Sequence, residues 1–231
     1  MTLSLQKALL EALAAELVDK DFKDIPSAFN FYEWESKCPN RQLVLTLEEE
    51  EYSFYFTSGA SKGVLVPTES DFDYVLKIPF PDEDFNNPCQ KEVEIFDAAI
   101  EHESEIINNL FAPCGHIGDI GNAQFYWMEY FDVDEGKNED VAISYYIDNY
   151  ESAEYEGGSY EFRDRAIESF YSYYGGGSGA FEYLESVLFS EKDQVVIERF
   201  LAHYFINDLH AANFYYDEFF KRIVIIDYSG Y

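Results

Sequence analysis

Asp208, Asn213 and Asp227 are the residues whose types and spacing could do chemistry. Asp208 stands five positions before Asn213 in the run Asn-Asp-Leu-His-Ala-Ala-Asn, residues 207–213. Asp227 closes the apolar run at 223–226, three positions before Gly230. A carboxylate facing a hydroxyl can take or orient its proton. An amide oxygen and a second carboxylate are hard donors that suit Mg²⁺. Phosphoryl transfer asks a protein for these groups, held closely in place. The plainer reading is a polar turn between a helix and a hairpin, where Asp and Asn are favoured.

Elements able to position such groups lie upstream in a fixed order. Residues 57–67 read as strand, glycine turn, strand. Gly59 and Gly63 would let a backbone lie close over phosphates without a Cβ clash. Ser61 lies between them, and Lys62 adds positive charge to the turn. Lys77 follows in an apolar β-like run, fourteen positions after Gly63. Residues 90–100 have helical spacing, with Val93, Phe96 and Ile100 on one face. Glu92 lies on this helix, and Glu94 is its rival. A further apolar run, Phe-Tyr-Trp-Met-Glu-Tyr-Phe, spans 125–131 and contains Glu129 and Tyr130. A helix from about Lys192, carrying Val195, Val196, Phe200 and Tyr204, leads into the Asp208 segment.

From about Tyr52 to Tyr231 these pieces, in this order, resemble the protein-kinase-like superfamily, and within it the minimal phage-type kinases and pseudokinases. The resemblance implies an α+β, two-lobed protein-kinase-like fold. Its small lobe would hold a mostly antiparallel sheet, and its large lobe would be helical and truncated. ATP and Mg²⁺ are the implied cofactors. Gly59, Ser61, Gly63 and Lys77 would contact phosphates, with Glu92 holding Lys77. Glu129 and Tyr130 would meet adenine. Asp208 would be the catalytic carboxylate, and Asn213 and Asp227 the metal ligands. The implied activity is transfer of the γ-phosphoryl group of ATP to a protein hydroxyl, its own or that of a basic host protein.

Three departures from the family pattern bear on that expectation. Ile206 occupies the usual histidine position, and Asp-Tyr-Ser-Gly at 227–230 puts the glycine one place late. The chain stops one residue after Gly230, so no length remains for a peptide-docking platform. Asp-x-His-x-x-Asn also resembles small-molecule kinases. His210 itself reads as structural.

Charge adds a second expectation. The 231 residues carry 15 Lys and Arg against 46 Asp and Glu, a net charge of −31. Such a surface repels nucleic-acid phosphates and anionic membranes and attracts basic proteins. From Glu129 to Phe162 eleven acids face one base, Lys137, with Tyr145, Tyr146, Tyr150, Tyr155 and Tyr160 interleaved. That density suggests the alternative: a catalytically weak or dead kinase-like scaffold that binds and inhibits a nucleic-acid-binding protein by DNA mimicry. An apolar fraction of 47% marks a globular chain rather than an acidic tail. Three cysteines cannot pair evenly, and no leader or spanning run of about 18 apolar residues is read, so a reducing cytoplasm is expected. Cys114 and His116 alone are a weak metal signal.

The expected organisation is an N-terminal helix and linker (1–40), a small lobe (41–131) and a truncated large lobe (132–231). Leu5, Leu9, Leu13 and Leu17 predict a helix at 4–20 that packs on the small lobe. Residues 21–40 read as loop or short elements, 41–80 as three strands, 89–110 as one helix and 111–133 as two strands of the same sheet. The glycines at 175–179 read as a flexible loop, not a phosphate loop, because no Lys-Ser or Lys-Thr follows. Residues 180–205 read as one or two helices.

Overall fold

The computed structural model describes residues 3–19, 28–37, 39–47, 50–59, 61–68, 73–80, 87–120, 123–150 and 159–229. Among them lie eight α-helices, a six-stranded antiparallel sheet and a two-stranded one, an α+β architecture. The chain divides into two compact units, Met1–Asp97 with Ala112–Phe131, and Ala98–Phe111 with Asp132–Tyr231. No helix among the described residues is long and apolar enough to cross a membrane.

The first unit is built on the large sheet. Its strands are β1 (Gln42–Leu47), β2 (Glu50–Ser58), β3 (Lys62–Pro67), β4 (Tyr74–Pro79), β5 (Cys114–Ile120) and β6 (Ala123–Glu129), in the order β1-β2-β3-β4-β6-β5. Residues 41–80 thus form four strands, where the sequence suggests three. Alternation sorts the side chains to two faces. One face carries Phe54, Phe56, Leu65, Leu76, Ile78, Phe125 and Trp127 into a core with Leu9, Leu10, Leu13 and Ala14 of helix α1 (Leu3–Asp19). Helix α2 (Ala28–Lys37) adds Phe31 and Trp34, spaced i, i+3, in a stretch that reads as loop or short elements from sequence. The rings of Phe31, Trp34, Phe56 and Phe80 pack at centroid distances of 5.1–5.7 Å. Burying one such side chain contributes roughly 1.5–3 kcal/mol.

The other face is that of Lys77 and Tyr126, which are register partners on β4 and β6. Helix α3 (Pro88–Ile100) reaches it. The buried stripe of α3 is Cys89, Glu92, Ile95 and Ala99, not Val93, Phe96 and Ile100. Ile100 is exposed, and Val93 and Phe96 are half-buried. The stripe contains a glutamate because that glutamate has cationic partners. Tyr126 donates to Gln90 Oε1 (3.2 Å) and accepts from Asn87 Nδ2 (2.9 Å), fixing the first turn of α3. Burial pushes the Tyr126 phenol up to about 12.

The second unit is mostly helical. The single helix expected over 89–110 is broken. After α3 the chain turns at 101–104 and resumes as α4 (Glu105–Asn108). The Asn108 amide donates to the carbonyls of Ala99, Ile100 and His102, at and just past the C-terminal end of α3. Helices α5 (Glu135–Asn149), α6 (Ser159–Tyr174), α7 (Gly179–Leu188) and α8 (Glu191–Tyr204) follow, then the hairpin β7 (Phe214–Asp217) and β8 (Arg222–Ile225). Asp134 caps α5 by accepting from Lys137 N at 3.1 Å. Tyr146 of the acidic stretch turns inward against Phe170, Tyr174 and Tyr183, while Asp140 and Asp148 face out. Tyr155 and the Tyr160 side chain lie outside the described residues.

The glycine run at 175–179 is a tight reversal between α6 and α7. A Cβ on Gly175 would sit 2.2 Å from the Tyr171 carbonyl oxygen, and one on Gly179 1.6 Å from that of Tyr174. Close backbone approach, not mobility, requires these glycines. In α8 the buried residues are Ile197, Phe200 and Leu201, whereas Val195 is exposed.

Candidate functional site

In the first unit, Lys77 and Glu92 meet. Lys77 Nζ donates to Glu92 Oε2 at 2.9 Å and Oε1 at 3.1 Å. Sequence places them on a central strand and on the helix across that face. Glu94, the rival, is exposed and accepts from Gln90 Nε2 instead. From sequence, Lys62 reads as part of the glycine turn. It is instead the first residue of β3, 5% exposed, with Nζ 2.5 Å from Glu92 Oε1. Lys77 is 5% and Glu92 1% exposed. Taking such ions out of water costs several kcal/mol each, repaid only by close pairing. Lys77 Nζ also lies 3.0 Å from Met128 Sδ.

The glycine turn is divided in character. Among the described residues no atom lies within 4 Å of where a Cβ on Gly59 would be. Its N–H donates to the Lys62 carbonyl at 3.0 Å, closing the turn, and the Ser61 carbonyl accepts from Phe80 N at 2.7 Å. Gly63 is buried, and a Cβ there would fall 2.3 Å from the Phe31 ring. Its glycine is explained by α2 packing on the sheet rather than by a phosphate. At the end of β6, Glu129 N donates to the Pro113 carbonyl (2.8 Å) and Tyr130 N to that of Asp73 (2.7 Å). The N–H groups of these two residues, which the resemblance places near adenine, are therefore committed within the unit.

In the second unit, Asn213 and Asp227 are adjacent. The Asn213 carbonyl accepts from Ile226 N (2.9 Å) and Asp227 N (3.5 Å), which continues the β7–β8 pairing by one step. Asn213 Nδ2 donates to the Asp208 carbonyl (2.8 Å), spanning the loop. Backbone pairing thus brings the residues that carry the Asn213 amide and the Asp227 carboxylate to the same end of the hairpin. Two such groups fit Mg²⁺, which keeps several waters and binds through few protein ligands. No larger gathering of His, Cys, Asp and Glu among the described residues would hold a metal. Asp208 is exposed, with Oδ1 3.8 Å from His210 Nε2. The His210 ring accepts from Ala212 N at 3.2 Å, a local turn contact. Ser229 Oγ donates to Asp227 Oδ1 at 3.4 Å. Gly230 lies outside the described residues.

Ile206 has a local reason. Helix α8 ends with Phe205 in the left-handed region (φ 57°, ψ 37°). Ile206 N then donates to Leu201 O (2.9 Å) and Phe205 N to Ala202 O (3.3 Å). This is a Schellman-type stop, whose last residue packs back on the helix. Ile206 and Leu201 are both buried, so an isoleucine serves at this position.

Asn138 is the functional-site residue that sequence reasoning missed. It lies on α5 and is 4% exposed. Its Nδ2 donates to the carbonyls of Ala211 and Phe214, both at 2.7 Å, and its Oδ1 accepts from Tyr216 N at 3.3 Å. One amide thus fastens the Asp208–Asn213 loop to the hairpin. Its signal in the sequence is slight: a single Asn amid exposed acids, seventy-three residues from its first partner.

Comparison with protein-family models, with curated proteins and with solved structures gave no significant match.

Proposed function

We propose that this protein is a kinase-like phosphotransferase that uses Mg²⁺-ATP and acts on a hydroxyl of a protein. The buried Lys77–Glu92 pair carries the reading. A strand lysine held by a glutamate on the following helix is what orienting nucleotide phosphates requires. The second unit meets its own requirement, with Asn213 and Asp227 adjacent and Asp208 exposed at the start of the same loop. Mg²⁺ on Asn213 and Asp227 would neutralise phosphate charge. Asp208 would orient the acceptor hydroxyl and receive its proton as the oxygen attacks the γ-phosphorus, with ADP as the leaving group.

The test is phosphoryl transfer from [γ-³²P]ATP, with Mg²⁺-ATP binding measured by calorimetry. Asp208→Ala is expected to lower transfer by about 10²- to 10⁴-fold while leaving nucleotide affinity nearly unchanged. Lys77→Ala and Asp227→Ala should weaken binding itself. Absence of ATP binding to the wild-type protein at millimolar concentration would remove this reading.

The exposed carboxylates of Asp132, Asp134, Glu135, Asp140 and Asp148 favour a second one. In it the fold is a scaffold whose acidic surface occupies the nucleic-acid site of a basic protein.

A further inference from the structure

We infer that the tip of the β7–β8 hairpin is a docking surface, on which Phe219 and Phe220 enter an apolar pocket with a basic rim on a partner protein; this rests on the acidic-surface reading above. The tip is the run Asp-Glu-Phe-Phe-Lys-Arg, residues 217–222. Its turn is made by Asp217, whose Oδ1 accepts from Phe219 N and Phe220 N, both at 3.0 Å. Any residue supplies those N–H groups, and turns favour small polar ones. The two phenyl rings are therefore not required by the turn. Nor does the core use them, since Phe219 is 86% and Phe220 67% exposed. Their rings meet edge to face with centroids 4.8 Å apart, so they form one apolar knob.

The knob is held in place before any partner arrives. Lys221 Nζ lies 5.6 Å from the Tyr145 ring and 5.8 Å from that of Tyr216. Arg222 places its guanidinium 5.5 Å from the Phe220 ring and its Nε 3.4 Å from Asp217 Oδ2. An aromatic anchor fixed in this way loses little freedom on binding.

Charge selects the occupant. Lys221 and Arg222 are engaged within the unit, and so is Lys137, 3.8 Å from Glu218. That last contact sets the first turn of α5 beside the tip, where Asp134 and Glu135 are exposed, as Glu218 is. The result is an apolar centre with an acidic border, on a chain of net charge −31. A second copy would bring one acidic border against another, and an anionic bilayer would repel it likewise. A basic rim around an apolar pocket is the complement. The buried rings supply affinity, and the charges steer the encounter.

Two cationic peptides of equal charge, an amphipathic lysine–leucine helix and oligolysine, serve as probes. Fluorescence anisotropy follows their binding, at low and high salt, to wild-type protein and to the double variant Phe219→Ser with Phe220→Ser, whose folding is checked by thermal melting. The lysine–leucine helix should bind wild type about tenfold or more tightly than the double variant. Oligolysine should bind the two alike. A lysine–leucine helix that binds both proteins equally would overturn the inference; salt-sensitive binding of oligolysine would then leave the acidic-surface reading standing. Failure of both peptides to bind would remove that reading and the inference together.

Phe219→Trp keeps an aromatic tip, so the question stays answerable if the double variant folds poorly. Its added emission, above that of Trp34 and Trp127, should move to the blue with the lysine–leucine helix and stay in place with oligolysine. An unmoved emission with both would count against a buried anchor. Sedimentation velocity and phosphatidylcholine vesicles examine the other occupants. Self-association or vesicle binding that is present in wild type and lost in the double variant would assign the tip to a second copy or to lipid, and would overturn the partner protein.

Discussion

Glu185 shows how a single carboxyl can report on the packing of the second unit. It lies on the buried face of α7, and its Oε1 has no hydrogen-bond partner among the described residues. Burial, with Glu198 and Glu182 nearby, lifts its pKa from the ordinary 4.5 to about 7. The folded protein therefore holds a proton there that the unfolded chain has already released. Stability contributed by this group is full below pH 4.5 and is lost as pH rises towards about 7. Glu185→Gln keeps the shape and removes the titration. Its stability relative to wild type should rise between pH 4.5 and 7 and level off above that. Urea unfolding of both proteins across this range measures the difference, in which the other 45 acids, common to both, largely cancel. A difference that does not vary with pH would show that Glu185 ionises normally.

At the scale of elements, α5 acts on the loop and hairpin through one side chain. Asn138 uses two donors and one acceptor on backbone groups of Ala211, Phe214 and Tyr216. Asn138→Ala leaves buried carbonyls unpaired and should cost about 2–3 kcal/mol. Asn138→Asp keeps the volume but sets a carboxylate against two carbonyl oxygens, so it should be at least as damaging. Hydrogen exchange should quicken at residues 206–216 in both variants and stay unchanged in the large sheet. Native-like stability in Asn138→Asp would mean that the contact is incidental. This clamp also marks where sequence reading stops. The lysine strand, the helix with Glu92 and the Asp208–Asn213 spacing are local patterns, and they were legible as residues on elements. The burial of α3 was misjudged because apolar spacing alone cannot reveal that a paired glutamate faces inward. Helix α2 falls where the sequence reads as loop or short elements, because its charged residues mask the Phe31 and Trp34 spacing, and without that helix Gly63 reads as part of a phosphate-covering turn. Only the contact with Phe31 gives Gly63 its packing reason. Asn138 was invisible for the same cause: its partners are distant in sequence.

For the whole molecule, charge dominates, and it acts with opposite sign on folding and on partner binding. A net charge of −31 makes the compact state repel itself. Raising ionic strength from about 0.01 to about 1 M shortens the screening length from about 30 to about 3 Å. Relief of about 1 kcal/mol of repulsion would raise the melting temperature by about 2–4 °C. A basic partner drawn to the same carboxylates should be released over the same range, because screening weakens attraction across the interface. Melting temperature and affinity for a basic DNA-binding protein should therefore move oppositely with salt. Asp140→Lys with Asp148→Lys, on the exposed side of α5, should weaken that affinity further, whereas Asp208→Ala and Asp227→Ala should not. Poly-lysine separates a shaped acidic surface from bulk charge. A specific site loses the DNA-binding protein on α5 charge reversal more steeply than it loses poly-lysine. Equal losses, or binding indifferent to salt, would leave the acidity a matter of solubility and remove the second functional reading.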